Sequence, residues 1–177
     1  MKIIIIGCGR VGALTAQRLD ETDHEVAVID VNPRSFERLP AKFGGSTVRG
    51  SGTDEDVLRE AGAEHSDLLI ALTEGDNRNA LAAQLGKHTF GIPRVIAKIN
   101  DPLRAEAYRR LGLETICRTV MMADALLDAV ASGADAAHGG VEPATAEPLR
   151  GAPAPGTLAD RKAAAAIAAA ENGQAAR

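Results

Sequence analysis

Lys2-Ile3-Ile4-Ile5-Ile6-Gly7-Cys8-Gly9-Arg10-Val11-Gly12 opens the chain, and a second apolar run, Glu25 through Ile29, ends in Asp30. A β-branched run leading into G-x-G-x-x-G and then a helical pattern spells a strand, a tight turn and a helix start. Gly7 allows the turn, Gly9 leaves room for a pyrophosphate against the backbone, and Gly12 lets the helix lie close to the strand. Amides at the helix start, with the helix dipole behind them, face the phosphates. Asp30 lies 23 positions beyond Gly7, near the roughly 20 expected for a carboxylate that accepts hydrogen bonds from ribose hydroxyls. A 2′-phosphate would be repelled there. The unit therefore points to NAD, NADH, ATP, ADP or AMP in preference to NADP, although Arg34 just downstream offers the phosphorylated cofactor a partner. The competing reading is that the glycines serve only turns and Asp30 only caps the next helix.

The chain has 177 residues, 45% of them hydrophobic, which suits one core plus a tail. A net charge of −4 and a pI near 5.6 argue against a nucleic-acid surface, and 2% aromatic residues leave few stacking platforms for single strands. No run reaches the ~18 apolar residues of a membrane span, and Ile3 to Ile6 is too short for a signal peptide core. A cytoplasmic protein with no direct membrane insertion is expected. Cys8 and Cys117 have no C-x-x-C spacing, which fits a reducing compartment and no zinc site. His24, His65, His88 and His138 share no spacing that would converge on a metal, and no catalytic residue is assigned.

Strands alternate with helices along the chain: strand 25–29, helix 34–42, strand 46–49, helix 54–61, strand 67–72, helix 76–90, strand 94–99, helix 103–111, strand 114–117. Right-handed crossovers then give an α/β, doubly wound parallel sheet of Rossmann type, order 3-2-1-4-5-6, with ligand at the carboxyl ends of strands one and four. A last helical segment, 119–132, carries an apolar stripe at Met121, Met122, Ala125, Leu126, Ala129 and Val130. It packs either on its own sheet or on a partner subunit; periodicity does not choose. The expected division is a nucleotide-binding domain over 1–132 and a Pro/Ala-rich linker and tail over 133–177, with at most a transient or docking helix at 158–170. Asp54, Glu55 and Asp56 are explained by the dipole of the helix they begin.

The loops narrow the reading. Gly7 to Gly12, His24 to Asp30, Gly50-Ser51-Gly52-Thr53-Asp54 with Val57-Leu58 and Ala61-Gly62, Ala71-Leu72-Thr73-Glu74-Gly75-Asp76-Asn77-Arg78-Asn79, and Val95 to Pro102 resemble the KTN, or RCK N-terminal, domain of TrkA-like regulatory proteins. The resemblance covers about the first 130 residues. It implies a non-enzymatic cytoplasmic subunit, peripheral to the inner face of the membrane, that senses adenine nucleotides and gates a potassium channel or transporter. A homodimer or higher ring is implied too.

Carried over by position, Gly7, Cys8, Gly9, Arg10, Val11 and Gly12 would hold the phosphates, and Asp30, Val31, Asn32 and Arg34 the ribose region. Gly50, Ser51 and Gly52 would border the adenine, with Ala71, Leu72, Thr73 and Asn79 along the fourth strand and Lys98 on the fifth. Thr73, Asp76 and Asn79 are equally explained as helix caps. Two departures stand out: Ser51 replaces the family's usual aspartate, and Lys98 its usual arginine, a point charge for a planar fork. Residues 133–177 are too short and too rich in Pro and Ala to form the second ligand-binding domain common in the family, so a one-domain version or a separate partner is expected. Two other functions compete: a small NAD-dependent oxidoreductase, and a stand-alone nucleotide sensor that docks on another protein through its tail.

Overall fold

Ile3 to Ile6 are all buried, alternating between two cores on opposite faces of one sheet. Such a strand has to lie in the middle of a covered parallel sheet, and it does. In the computed structural model, which describes residues 1–131, six parallel strands run in the order β3-β2-β1-β4-β5-β6. They are β1 Lys2–Ile6, β2 Glu25–Asp30, β3 Ser46–Arg49, β4 Leu68–Ala71, β5 Arg94–Lys98 and β6 Glu114–Ile116. The helices are α1 Arg10–Asp20, α2 Glu55–Glu60, α3 Asp76–His88, α4 Pro102–Arg110 and α5 Arg118–Ala131. The expected order and alternation are thus found, with element ends shifted by one or two residues.

The strands are in register: Ile3 pairs with Val26 on one side and Leu68 on the other. Beyond the strands the carboxyl ends stay laced, the Gly7 amide donating to the Ile29 carbonyl at 2.7 Å, Gly50 to Asp30 at 3.0 Å and Leu72 to Ile6 at 2.8 Å. Helices meet this sheet through small residues. α1 buries Gly12, Ala13 and Ala16, and α3 buries Ala80, Ala82, Ala83 and Gly86. Isoleucine on the strands therefore fills the space that alanine on the helices leaves, and a core forms with almost no aromatic side chains.

One expected helix is replaced. Residues 34–42 form a 3-10 helix, Pro33–Arg38, started by the Asn32 side chain, which accepts from the Arg34 amide. Pro40 explains the early stop, because its ring disfavours helical backbone at the residue before it, and Leu39 is extended at ψ 144°. A second 3-10 helix, Ala63–His65, is an addition; Gly62 precedes it at φ 86°. α5 settles half of an open choice. None of its residues is buried, and Met121, Met122, Leu126, Leu127 and Val130 are 58 to 79% exposed, so its stripe does not pack on its own sheet. The expected linker and tail, 133–177, lies outside the described residues.

Asp76, in the first turn of α3, clamps the loop after β5. Its carboxylate accepts from the Asn100 amide at 2.9 Å, the Asn100 side chain at 3.1 Å and the Asp101 amide at 3.0 Å. Burial pushes this carboxyl up, but the donors from Asn100 and Asp101, helped by the Arg104 charge, outweigh it and hold it below its ordinary value.

Two measurements test these packing arguments. A Cβ on Gly12 would stand 1.9 Å from the Gly7 carbonyl oxygen, so Gly12→Ala should lower the urea midpoint by the equivalent of about 3 kcal/mol or more. Asp76 titrates lower folded than unfolded, so its contribution is complete at neutral pH and is lost as pH falls below about 4. Asp76→Ala should therefore cost about 2 kcal/mol at pH 7 and show a shallower loss of stability below pH ~4 than the wild-type chain, read by urea titration across pH.

Candidate functional site

At Gly7 the chain leaves β1 with φ 103°, a conformation glycine adopts without strain. Three residues on, α1 is already under way, and Gly9 is its N-cap, with no side chain bonding the first-turn amides. The amides of Arg10, Val11 and Gly12 have no partner within the helix by its geometry. The first acid along β2's exit is drawn into this turn: Asp30 accepts from the Cys8 amide at 2.7 Å and, through its other oxygen, from the Asn32 amide at 2.8 Å. One loop amide is thus already occupied by the carboxylate. Each carboxylate oxygen has a further lone pair, so two hydroxyls of a sugar can still be accepted.

A cleft of about 260 Å³ opens over these carboxyl ends. It straddles the point where β1 is flanked by β2 on one side and β4 on the other, the place where ligands bind in open α/β sheets. Its floor is Ile6, Gly7, Gly9 and Ile29, with Asp30, Val31, Gly50, Ser51 and Gly52 at one end and Leu72, Thr73 and Glu74 at the other. A Cβ on Gly9 would meet nothing within 4 Å, whereas one on Gly52 would lie 2.2 Å from the Ile6 side chain and one on Gly50 2.5 Å from Val57. Gly9 is therefore bare toward the cleft, while the other two glycines permit close packing beneath it. The Ser51 hydroxyl is bonded to that of Thr53 at 2.8 Å. A larger concavity, about 330 Å³, lies at the opposite, amino ends of β1 and β2 and includes Lys2, His24 and Glu25. No α-helix begins in its lining.

Of the residues singled out from the sequence, Gly7, Gly9, Asp30, Val31, Gly50, Ser51, Gly52, Leu72 and Thr73 line the cleft together. Cys8, Gly12 and Ala71 are buried outside its lining, and Arg10, Val11, Asn32 and Arg34 are exposed outside it. Burial, and then the Asp30 carboxylate, push the Cys8 thiol up, with the Arg38 guanidinium pulling the other way. That makes Cys8 a packing residue and a poor nucleophile.

Asn79 is fully buried and has a structural task. Its Oδ1 accepts from the Thr73 amide at 2.8 Å and the Thr73 hydroxyl at 2.6 Å, and its Nδ2 donates to the carbonyls of Thr73 at 2.9 Å and Lys98 at 2.8 Å. It holds the Thr73 backbone at the cleft edge and ties it to β5. Lys98 is itself 92% buried, one strand beyond the lining. Four lining residues that the motif gave no reason to choose are Ser35, Arg38, Glu74 and Arg78. Ser35, Arg38 and Arg78 lie in helical segments that follow cleft strands and Glu74 in the loop between β4 and α3, so position after a cleft strand is their only sequence signal.

A family model described as the TrkA-N domain matches residues 3–119. The Trk system potassium uptake protein TrkA of Streptomyces coelicolor is 49% identical over 127 residues, which cover 72% of this chain and 57% of that protein. The chain thus spans little more than half the length of that curated relative. Among solved structures, the Kef CTD of Shewanella denitrificans in AMP-bound form superposes with a TM-score of 0.63 at 21% identity, over 77% of this chain and 84% of that one. The GsuK channel bound to NAD does so with a TM-score of 0.64 at 23% identity, over 75% of this chain and 23% of that one. At such identities the two structures speak for the fold. The sequence match over residues 3–119 shows that this chain belongs to the TrkA-N domain family.

Proposed function

We propose that the domain binds an adenine nucleotide across the cleft and acts as a cytoplasmic regulatory subunit of a potassium-transport system, with no catalytic step of its own. The observation that carries the binding half is the Gly9 N-cap, bare toward the cleft, beside a carboxylate already fixed in place by the Cys8 and Asn32 amides. Phosphate lies on the α1 amides, ribose on Asp30, and adenine toward Gly50, Ser51 and Gly52. Support comes from the AMP and NAD named with two proteins of the same fold. The transport half rests on the 49% identity to a TrkA potassium uptake protein.

Regulation requires that the nucleotide favour one arrangement of the protein over another, by no more than its difference in affinity for the two. The Thr73–Asn79–Lys98 tie gives occupancy a route from the cleft edge to β5. The exposed stripe of α5 supports assembly with a second copy of the chain. The membrane partner is a potassium channel or transporter subunit. Among the described residues no helix is long and apolar enough to cross a membrane.

Calorimetry with AMP, ADP, ATP, NAD and NADH tests the binding half directly, and failure of all five to bind would overturn it. Gly9→Val fills the space reserved for phosphate and should abolish binding, while costing at most about 1 kcal/mol of stability as a poorer N-cap. Asp30→Ala should weaken every ribose-bearing ligand by about 1.5 to 3 kcal/mol, roughly 10- to 150-fold in Kd. Equal affinity of the wild-type and Asp30→Ala proteins for AMP would remove the ribose assignment.

A further inference from the structure

The cleft has a direction set by the sheet beneath it. Read along the strand order, Gly50 to Gly52 follow β3, Asp30 and Val31 follow β2, Gly7 and Gly9 follow β1, and Leu72 to Glu74 follow β4. Adjacent strands lie ~4.8 Å apart, so these four groups form a ruler about 14 Å long. On the binding reading above, adenosine occupies the β3 and β2 end and the first phosphate sits on the α1 start over β1. The next group of the ligand then has one place to go, over β4.

Two charged side chains wait there. Glu74 is exposed in the loop after β4, and Arg78 is exposed in the first turn of α3, both lining the cleft. Among the described residues no ion pair engages either one. The other guanidinium in the lining, Arg38, belongs to the 3-10 helix after β2, donates to the Ser35 carbonyl at 3.4 Å and lies near enough to the glycine loop to pull the Cys8 thiol down. A second phosphate would therefore meet one negative and one positive side chain, and which dominates decides whether a diphosphate is welcomed or refused. A guanidinium donates up to five hydrogen bonds and can grip phosphate oxygens in pairs, whereas Glu74 acts on the same oxygens only by repulsion and can swing into water. Arg78 prevails.

We propose that Arg78 is the residue that reads the phosphate beyond the first, with Glu74 set against it, so that the cleft selects nucleotides carrying a diphosphate over monophosphates. The proposal rests on the nucleotide-binding reading and goes beyond it by assigning the discrimination to two side chains outside the glycine motif. Both are exposed, so substitution leaves the core untouched.

The test is the ratio of Kd for AMP to Kd for ADP, measured by calorimetry on the full chain. The wild-type protein should bind ADP several-fold more tightly than AMP. Arg78→Gln should weaken ADP roughly tenfold, the loss expected for a charge-assisted contact, and change AMP less than about twofold, so the ratio falls to one or below. Glu74→Gln should raise the ratio, and Arg38→Gln should move AMP and ADP alike. If the wild-type protein binds both nucleotides and Arg78→Gln leaves the ratio where it was, the proposal is overturned and the cleft keeps its nucleotide. If neither AMP nor ADP binds the wild-type protein, the nucleotide-binding reading and this proposal fall together.

Discussion

The whole carboxyl face of the sheet depends on a missing methyl group. Gly12 lies so close to the Gly7 carbonyl that a Cβ would overlap its oxygen, and this contact lets α1 begin after a turn of three residues, Gly7 to Gly9. A longer turn would carry the helix start away from the sheet. Because the turn is short, the N-cap at Gly9 stands over the cleft and the Cys8 amide comes within 2.7 Å of Asp30 from the next strand. Three features that look separate in the sequence, the second glycine, the third glycine and the acid 23 positions on, are consequences of one close approach.

The sheet tolerates this geometry because its helices are thin where they touch it. Ala13 and Ala16 on α1, and Ala80, Ala82, Ala83 and Gly86 on α3, are buried against isoleucine, leucine and valine of the strands. Into this apolar layer the fold places one amide, Asn79. Burying such a group costs about 1 to 3 kcal/mol if its hydrogen bonds are unmade, and here four bonds at 2.6 to 2.9 Å meet that cost. The return is positional: Thr73, at the edge of the cleft, cannot shift without disturbing the carbonyl of Lys98 on β5. Asp76, three residues earlier on the same helix, fixes the next loop in the same manner.

Much of this was readable beforehand, for a physical reason. Strand order and the cleft's glycines follow from period, turn chemistry and handedness, which are local or nearly so. Asp30 was legible as an acid at a known distance, yet its hold on the Cys8 amide was not, because a carboxylate's partner depends on how two turns stack. The end of the 3-10 helix at Leu39 is written in Pro40, whereas an expected helix over 34–42 takes no account of that proline. Glu74 and Arg78 carried no signal beyond their place in the loop and helix start that follow β4. Exposed charges near a helix start have a sufficient explanation in solvation, and only the cleft's shape distinguishes the two from Arg10 and Arg34, which lie outside it.

The two ends of the cleft differ in kind, and that difference bears on how a binding site becomes a sensor. At the β2 end the carboxylate is fixed by backbone amides before any ligand arrives, so little ordering is left to oppose binding there. At the β4 end the charged side chains are exposed, and the edge they border is tied through Asn79 to β5. A rigid end offers a ligand the same contacts in every arrangement of the protein, and affinity equal in two states cannot shift the equilibrium between them. Any shift has to arise from contacts that differ between two arrangements of the protein. Exposed side chains that can reorient stand over β4, beside the Thr73–Asn79–Lys98 tie that joins the cleft edge to β5.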